Sequence, residues 1–374
     1  MSDTAAKKVN LLGLSRPELE SFVASLGAKP FRARQLMKWI YRKGESDFER
    51  MTDLARDFRE QLAAAAEVRP PDIVTVQASA DGTRKWLLRA PGATGAEQAI
   101  ETVFIPEPGR GTLCISSQVG CALDCSFCST AKQRFNRNLS AAEIVGQVWL
   151  ANRELGASAE GPRLITNVVL MGMGEPLANY RNVLPAMRIM MDDLGYDLSR
   201  RRVTLSTSGL VPQIYRLAED CNVALAVSLH APNDALRDQL VPINRLHPIS
   251  ELLAACWHYL ERQNGRSVTF EYVMLDGVND QPGHADELAR LLRGHDAKVN
   301  LIPFNTFPGT NYRRSPEPAI AAFRDRLMRR GVIATIRRTR GDDIDAACGQ
   351  LKGRVLDRIQ KRLGDKRVGI MVQA

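Results

Sequence analysis

The chain has 374 residues, of which 44% are hydrophobic and 25% are charged, and its net charge is +9. These fractions are ordinary for a globular protein, and the length allows one large domain with a smaller one. The first ten residues lack the apolar stretch of a signal peptide, and the absence of long apolar runs excludes a predicted membrane-spanning helix.

Residues 11–66 are predicted to be helical. The segment from Ser15 to Glu18 has the sequence of a capping box with proline in the first turn, and further amphipathic stretches follow it. Residues 73–90 then predict a β-hairpin that turns at Asp81-Gly82. The sequence PGATG ends this N-terminal part near residue 95.

From residue 96 onward, predicted strands and helices alternate. The later strands are nearly continuous apolar runs, as in a parallel sheet covered by helices. About six βα units of this kind form a full or partial (β/α) barrel, whose sites lie at the C-terminal ends of the strands. A flat, doubly wound sheet is the alternative fold. The predicted strands are residues 99–105, 112–118, 165–172, 202–208, 223–230, 267–275, 298–304 and 333–339, and the clearest helices are 140–155, 248–263 and 318–330.

Three cysteines follow the second of these strands in the run GCALDCSFC. Cys121, Cys125 and Cys128 have the spacing C-x3-C-x2-C, which suits three thiolates on one iron–sulfur cluster whose fourth iron lacks a protein ligand. Such an open iron predicts that the cluster binds a substrate or cofactor. A structural zinc site normally uses four ligands in paired motifs, and the sequence has no second pair nearby. The odd total of seven cysteines favours a reducing, cytoplasmic location over a disulfide framework.

Polar or glycine-rich motifs end several other predicted strands. Because the strand ends of a barrel meet at one rim, these motifs together predict a binding site for a zwitterionic nucleoside beside the cysteines. The motifs are GMGEP (172–176), STSG (206–209), SLH (228–230) and PFN (303–305).

The positive charge is concentrated in clusters, most of them after residue 300. Repeated clusters favour a surface that contacts nucleic-acid phosphates over separate solvated helix faces. The clusters are Arg200–Arg202, the pair Arg313 and Arg314, the group Arg337, Arg338 and Arg340, and a tail with Lys352, Arg354, Arg358, Lys361, Arg362, Lys366 and Arg367.

The cysteine triplet, with the aromatic Phe127 before its last cysteine, resembles the signature of the radical S-adenosylmethionine superfamily. More narrowly, the chain resembles the RlmN family of dual-specificity 23S rRNA/tRNA adenine-C2 methyltransferases over nearly its whole length. The resemblance implies an α/β fold with three parts: a small N-terminal helical accessory domain that binds RNA (1–95), a partial (β/α)6-type radical S-adenosylmethionine barrel (96–345) and a basic C-terminal tail (346–374). It rests on residues 100–106, 112–139, 168–177, 205–212 and 225–234, on the PFN run and on the ACGQL segment around Cys348.

The resemblance implies a radical route to adenine C2, whose C–H bond is neither acidic nor nucleophilic. One S-adenosylmethionine methylates Cys348, and a second is reduced by the cluster to a 5′-deoxyadenosyl radical that takes a hydrogen atom from the new methyl group. The methylene radical adds to C2, and Glu101 accepts the C2 proton. Cys114 then attacks the thioether sulfur, which leaves a transient disulfide with Cys348. Without the resemblance, Cys114 would be interpreted as a buried strand residue and Glu101 as a solvated edge acid.

The resemblance also implies which residues bind the cofactors. Cys121, Cys125 and Cys128 ligate a [4Fe-4S] cluster, and Gly174 and Glu175 hold the amino end of S-adenosylmethionine. The contacts to its carboxylate, ribose and adenine are assigned to Ser206, Ser228, Leu229, His230 and Asn305.

The implied partners are 23S rRNA, tRNAs methylated at the adenine 3′ to the anticodon, and an electron donor such as flavodoxin or ferredoxin. The protein is expected to be a monomer without membrane contact. Two alternatives stay open: methylation at adenine C8, the activity of the antibiotic-resistance relative Cfr, and a basic RNA-binding assembly factor whose cysteines hold structural zinc.

Overall fold

The N-terminal region is helical, as predicted. The computed structural model describes residues 8–91, 98–158, 160–263, 267–351 and 353. Helix α1 begins with the predicted capping box, in which the Glu18 carboxylate accepts a hydrogen bond from the Ser15 backbone N–H at 2.8 Å. The helices are α1 (Arg16–Ser25), α2 (Phe31–Met37) and α3 (Arg56–Ala65), and a short parallel pair, β1 (Val9–Asn10) and β2 (Ala66–Glu67), joins the two ends of the region.

A ten-stranded sheet forms the centre of the described structure. The predicted hairpin at Asp81-Gly82 supplies its first two strands, and neighbouring strands run antiparallel up to β6 and parallel from β6 to β14. In spatial order the strands are β3 (Ile73–Ala78), β4 (Arg84–Arg89), β5 (Ala99–Glu107), β6 (Arg110–Cys114), β9 (Asn167–Leu170), β10 (Val203–Thr207), β11 (Ala224–Ser228), β12 (Val268–Met274), β13 (Ala297–Pro303) and β14 (Ile333–Ile336), while β7 (Gln118–Val119) and β8 (Arg137–Asn138) form a separate antiparallel pair.

Helices alternate with the parallel strands, which confirms the predicted α/β class and the helices predicted at 140–155, 248–263 and 318–330. The longest begins at a second predicted capping box, where the Ser140 hydroxyl accepts from the Glu143 backbone N–H at 3.2 Å. The helices are α4 (Ser129–Lys132), α5 (Ala141–Glu154), α6 (Tyr180–Met191), α7 (Val211–Asp220), α8 (Asp234–Leu240), α9 (Ile249–Glu261), α10 (Pro282–Leu291) and α11 (Glu317–Arg329).

The sheet curls around an internal cavity of about 550 Å³, called the larger cavity below. A flat sheet has no interior shared by all its strands, so the partial barrel and not the doubly wound alternative describes this chain. One side chain from each of β5, β6 and β9 to β14 shows the arrangement: Val103, Thr112, Val169, Thr204, Ala226, Thr269, Asn300 and Thr335 all line the cavity.

Two predicted strands end three or four residues earlier than expected. The strand predicted to reach residue 118 ends at Cys114, because the Ser116 backbone N–H donates to the Gln147 side chain at 2.8 Å and that of Ser117 to Met173 at 2.8 Å. The last strand ends at Ile336 and not at residue 339, and the Arg337 backbone N–H makes the final contact, 2.8 Å from the Leu301 carbonyl.

Some predicted features fall on residues that the structure does not describe. Most of the PGATG segment and, apart from Gly353, the basic tail after Leu351 lie outside the described residues. Within the described part of the chain, the helices are too short or too polar to cross a membrane.

Candidate active site

The predicted cysteine loop lies between β7 and α4. Cys121, Cys125 and Cys128 line one cavity of about 150 Å³, called the smaller cavity below. Gly120 has a φ of +75°, and a Cβ at this position would lie 1.6 Å from the Arg134 carbonyl oxygen. Only glycine fits there, so the close approach of the two loop ends depends on the residue that precedes Cys121.

The GMGEP motif reaches the same cavity from the end of β9. Gly174, at a φ of +102°, lets this turn pass directly against the Gln118 side chain. The Glu175 carboxylate is buried and accepts hydrogen bonds from the backbone N–H groups of Leu177 at 3.0 Å and Ser208 at 2.8 Å. Burial raises the pKa of Glu175 to about 7, so a cationic or N–H-bearing ligand would stabilise its ionised form.

Three of the other predicted cofactor-binding residues also line the smaller cavity: Ser206, Ser228 and His230. The Nδ1 atom of His230 accepts from the Val273 backbone N–H at 3.0 Å, and burial lowers the pKa of His230 to about 3. The neutral ring therefore carries its proton on Nε2. Leu229 differs from its neighbours, because its side chain is fully buried in the core and does not line either cavity.

The larger cavity adjoins the smaller one, and Cys348 lines both. Cys114, the last residue of β6, lines the larger cavity with it. Burial raises the pKa of the Cys114 thiol to about 12, and the nearby Cys348 thiol adds to the increase. Both cysteines are free thiols in this structure. The fold thus brings together two thiols that are 234 positions apart in sequence numbering (348 minus 114).

The turn that carries Cys348 is fixed on both sides. Asn305, a predicted cofactor-binding residue, donates from its side-chain amide to the Cys348 carbonyl at 3.1 Å. The Ser129 backbone N–H donates to the Gly349 carbonyl at 2.9 Å, directly beside Cys128. The Cys348 turn therefore packs against the cysteine loop, and Asn305 lies in the larger cavity, where it positions this turn.

Glu101 is not the solvated edge acid that its position in the sequence suggests. Its side chain is only 6% exposed, and its Oε1 lies 3.3 Å from the Lys85 ammonium, which is equally buried. The Glu101 Oε2 accepts from the Gly353 backbone N–H at 3.3 Å. Glu101 does not line either cavity, although Val103, on the same face of β5, lines the larger one.

Comparison with known proteins identifies the family. Residues 9–68 match the ribosomal RNA large subunit methyltransferase N-terminal domain, and residues 115–289 match the radical SAM superfamily. The dual-specificity RNA methyltransferase RlmN of Stenotrophomonas maltophilia (strain K279a) is 59% identical over 371 residues, which cover 96% of this chain and 92% of that protein. The chain belongs to the RlmN family.

The solved structure of a radical SAM methyltransferase has the same fold as this chain. The crystal structure of a radical SAM methyltransferase from Sphaerobacter thermophilus has a TM-score of 0.85 and 47% sequence identity to this chain, and the match covers 92% of this chain and 99% of that one. The chain is therefore a radical S-adenosylmethionine enzyme that uses a [4Fe-4S] cluster and S-adenosylmethionine. The alternative interpretation, a zinc-containing assembly factor, is therefore wrong.

The cysteine loop of this RlmN protein fits a polynuclear cluster. In the described part of the chain, no three His, Cys, Asp or Glu side chains are close enough together to hold one metal ion. The three thiols instead surround a cavity, as the ligands of a multi-iron cluster do. Burial raises the pKa of each thiol, to about 12 for Cys125, so cationic iron would be needed to ionise them.

The sequence motifs did not predict the positions of three charged residues at the site. Lys85 lies in a predicted hairpin strand without any motif around it. Glu271 is a carboxylate within the apolar run of β12, which is itself a signal of function, and it lines both cavities. Arg337 belongs to a cluster predicted to contact phosphates on the surface, yet its side chain lines both cavities inside the barrel.

Proposed function

We propose that this RlmN family member methylates C2 of an adenine in 23S rRNA and of the adenine 3′ to the anticodon in tRNAs. One observation carries the proposal: Cys348 lines both the cavity of the three cluster cysteines and the cavity that contains Cys114. A thiol in this position is next to the radical source and next to a second thiol. Both are needed if a cysteine carries the methyl group.

The smaller cavity is the proposed cofactor site. Cys121, Cys125 and Cys128 would hold the cluster, and Glu175 would accept hydrogen bonds from the amino group of S-adenosylmethionine. Gly174, Ser206, Ser228, His230 and the backbone of Leu229 would complete the site. When bound, the cluster and S-adenosylmethionine supply a methyl group and, after reduction, a carbon radical that can remove a hydrogen atom.

The larger cavity is the proposed adenine site. At about 550 Å³, it has room for a base extruded from an RNA loop, as enzymes that modify bases require. The Cys348 sulfur would carry the methyl carbon to C2. Cys114 would attack that sulfur to release the product, and the single electron left on the ring would have to pass to an acceptor such as the oxidised cluster. A transient disulfide between the two would then form, and an external reductant would have to break it.

Glu101 remains the proposed acceptor of the C2 proton. Its neighbour Val103, on the same strand face, lines the larger cavity, so the carboxylate needs only a local rearrangement to reach it. The Lys85 ammonium, 3.3 Å from the Glu101 carboxylate, supplies a counter-charge beside the proposed base. Because Gly353 binds the same carboxylate, the C-terminal segment would have to release it first.

The remaining proposals concern RNA binding and cellular context. Residues 1–95 would form the accessory domain, 96–345 the barrel and 346–374 the basic tail, with the helical region and the exposed arginines Arg313 and Arg314 gripping the RNA backbone. Within the described chain, β3 and β4 of the accessory part continue the main sheet. We further infer a monomeric, cytoplasmic protein reduced by flavodoxin or ferredoxin.

The deciding experiment is a reconstituted reaction. The protein would be loaded with iron and sulfide without oxygen and given a reductant, S-adenosylmethionine and unmethylated 23S rRNA or tRNA. Mass analysis of the digested RNA should locate the new methyl group on C2 of one adenine, and the Cys348→Ala protein should form none. A methyl group on C8, as made by the relative Cfr, or methylation by Cys348→Ala would overturn the proposal.

A further inference from the structure

Arg337 lies where the two cavities meet. Its backbone N–H makes the last contact of β14, at 2.8 Å to the Leu301 carbonyl, and this fixes the direction of its side chain. The side chain lines the larger cavity with Cys114 and the smaller cavity with Glu175, and Cys348 lines both with it. The guanidinium is thus at the junction where the proposed methyl carrier and the adenine would meet.

The Arg337 guanidinium has no partner among the described residues: it makes no hydrogen bond and no ion pair there. The charges and thiols that face it are Glu271, Glu107, Cys114 and Cys348. The Glu271 carboxylate is hydrogen-bonded to the Asn300 amide at 2.9 Å instead. Arg337 therefore presents its N–H donors to the cavities.

Another arginine of this barrel, Arg237, shows what a structural role looks like, whereas Arg337 is half-buried. Arg237 is fully buried and donates four hydrogen bonds, to the carbonyl oxygens of Leu229, Ser208 and Ser228 and to the Asn244 side chain. Arg337 has none of these. An arginine that lines a cavity without protein acceptors has unpaired N–H donors there, and a ligand that supplies acceptors pairs them.

The ligand in reach is the adenine itself. In adenine, C2 lies between N1 and N3, and each of these nitrogens has an acceptor lone pair in the ring plane. A base that presents C2 to Cys348 therefore brings one of the two nitrogens toward a donor beside Cys348. We propose that Arg337 donates a hydrogen bond to one of the two ring nitrogens that flank C2, N1 or N3. This hydrogen bond activates C2 toward the carbon carried by Cys348. This inference rests on the proposed function.

The chemistry of the addition explains why a donor helps. After the S-methyl group of Cys348 has lost one hydrogen atom, its carbon holds an unpaired electron and is electron-rich because of the adjacent sulfur. It forms a bond to C2, the π bond between C2 and the ring nitrogen breaks, and the unpaired electron passes into the ring. No proton or electron leaves in this step. A hydrogen bond to that nitrogen stabilises the electron density it gains, as a preorganised donor does in other transition states.

The test combines variants of Arg337 with altered bases. Protein whose Cys348 has been methylated beforehand would react in single turnover with RNA containing adenine, 1-deazaadenine or 3-deazaadenine at the target. Arg337→Gln should lower the rate of adenine methylation about 10²-fold, as the loss of one transition-state donor does. One of the two deaza RNAs lacks the nitrogen that accepts from Arg337, and with that RNA Arg337→Gln should barely change the rate of methylation. With the other deaza RNA the rate should fall as much as with adenine.

Three further readouts keep the test decisive. Arg337→Lys, which retains a donor, should recover part of the rate, and Arg290→Gln, which removes an exposed arginine of α10, should match the wild type. Methylation of Cys348 and formation of 5′-deoxyadenosine should persist in Arg337→Gln. An equal loss of rate with all three RNAs, a change only in the affinity for RNA, or an equal loss of Cys348 methylation would overturn the proposal. Only the inference on Arg337 would then fail, provided the wild type still methylates C2.

Discussion

The Lys85 ammonium lies 3.3 Å from the Glu101 carboxylate, and both side chains are only 6% exposed. The two are diagonal neighbours on one face of the sheet, since Lys85 is paired in register with Val103. The same ammonium donates to the Asp345 carbonyl at 3.2 Å, three residues before Cys348. One lysine therefore contacts both the candidate base and the segment that leads to the candidate methyl carrier.

Replacing Lys85 by methionine removes a counter-charge from the buried Glu101 carboxylate. We expect Lys85→Met to lower the free energy of unfolding by about 3–5 kcal/mol, and to lower the rate of RNA methylation. Denaturant unfolding and single-turnover methylation would measure the two effects. The double variant Lys85→Met/Glu101→Leu should be more stable than Lys85→Met alone but inactive, since it lacks both charges. A double variant as unstable as Lys85→Met would contradict the pairing.

Variants of the two cysteines in the larger cavity should block the reaction at different steps. Cys348→Ala should abolish RNA methylation and leave the iron content unchanged, because Cys348 is not among the three proposed cluster cysteines. Cys114→Ala should instead accumulate a covalent protein–RNA adduct, since the thioether cannot be resolved. Gel electrophoresis under denaturing conditions would detect the adduct. Cys221→Ala, at the end of α7, is the matched control and should turn over normally; normal turnover by the Cys114 variant would refute its role.

The affinity for S-adenosylmethionine should depend on pH through Glu175. Burial raises the pKa of this carboxyl from 4.5 to about 7, so the acceptor becomes ionised, and the affinity rises, as the pH increases through 7. Without ligand, the same shift makes the free energy of unfolding fall as the pH rises from 4.5 to 7. Over this range Glu175 has lost its proton in the unfolded chain but keeps it in the folded one.

Equilibrium dialysis of the reconstituted protein at pH 6, 7 and 8 would test this. Glu175→Gln should bind S-adenosylmethionine about tenfold or more weakly, the loss expected for a hydrogen bond to a charged group. The affinity of this variant for S-adenosylmethionine should also no longer rise as the pH increases through 7. A variant that keeps the wild-type pH dependence would show that another group is responsible.

Gly120→Ala should impair cluster assembly. The added Cβ would lie 1.6 Å from the Arg134 carbonyl oxygen, which also accepts from the Cys121 backbone N–H at 3.2 Å. The loop must move to relieve the clash, and Cys121, the first of the proposed cluster ligands, moves with it. Gly109→Ala is the control, since Gly109 has a similar φ of +70° with open space around it. It should cost about 1–2 kcal/mol of strain and leave the iron content unchanged; equal iron loss in both variants would exclude the clash as the cause.

The sequence was sufficient for features set by local patterns. The capping boxes, the Asp81-Gly82 hairpin, the alternation of strands and helices along the chain and the cysteine loop all depend on residues near one another in the chain. The burial of Glu101 was predicted incorrectly, because it depends on β4, a strand whose Lys85 supplies the counter-charge. Arg337 was placed on a surface because its neighbours are basic, whereas its position at the end of β14 turns its side chain into the barrel.

The positions of the candidate residues divide the chain in an unexpected way. The stretch shared with the radical SAM superfamily, 115–289, contains the three proposed cluster cysteines, Glu175 and His230. Glu101, Cys114, Arg337 and Cys348 all lie outside it, on β5, β6, the end of β14 and the turn beyond. Because one sheet unites these flanks with the shared stretch, the proposed cluster cysteines come from the part of the sequence common to the superfamily, and the residues proposed to direct the methyl group come from the flanks.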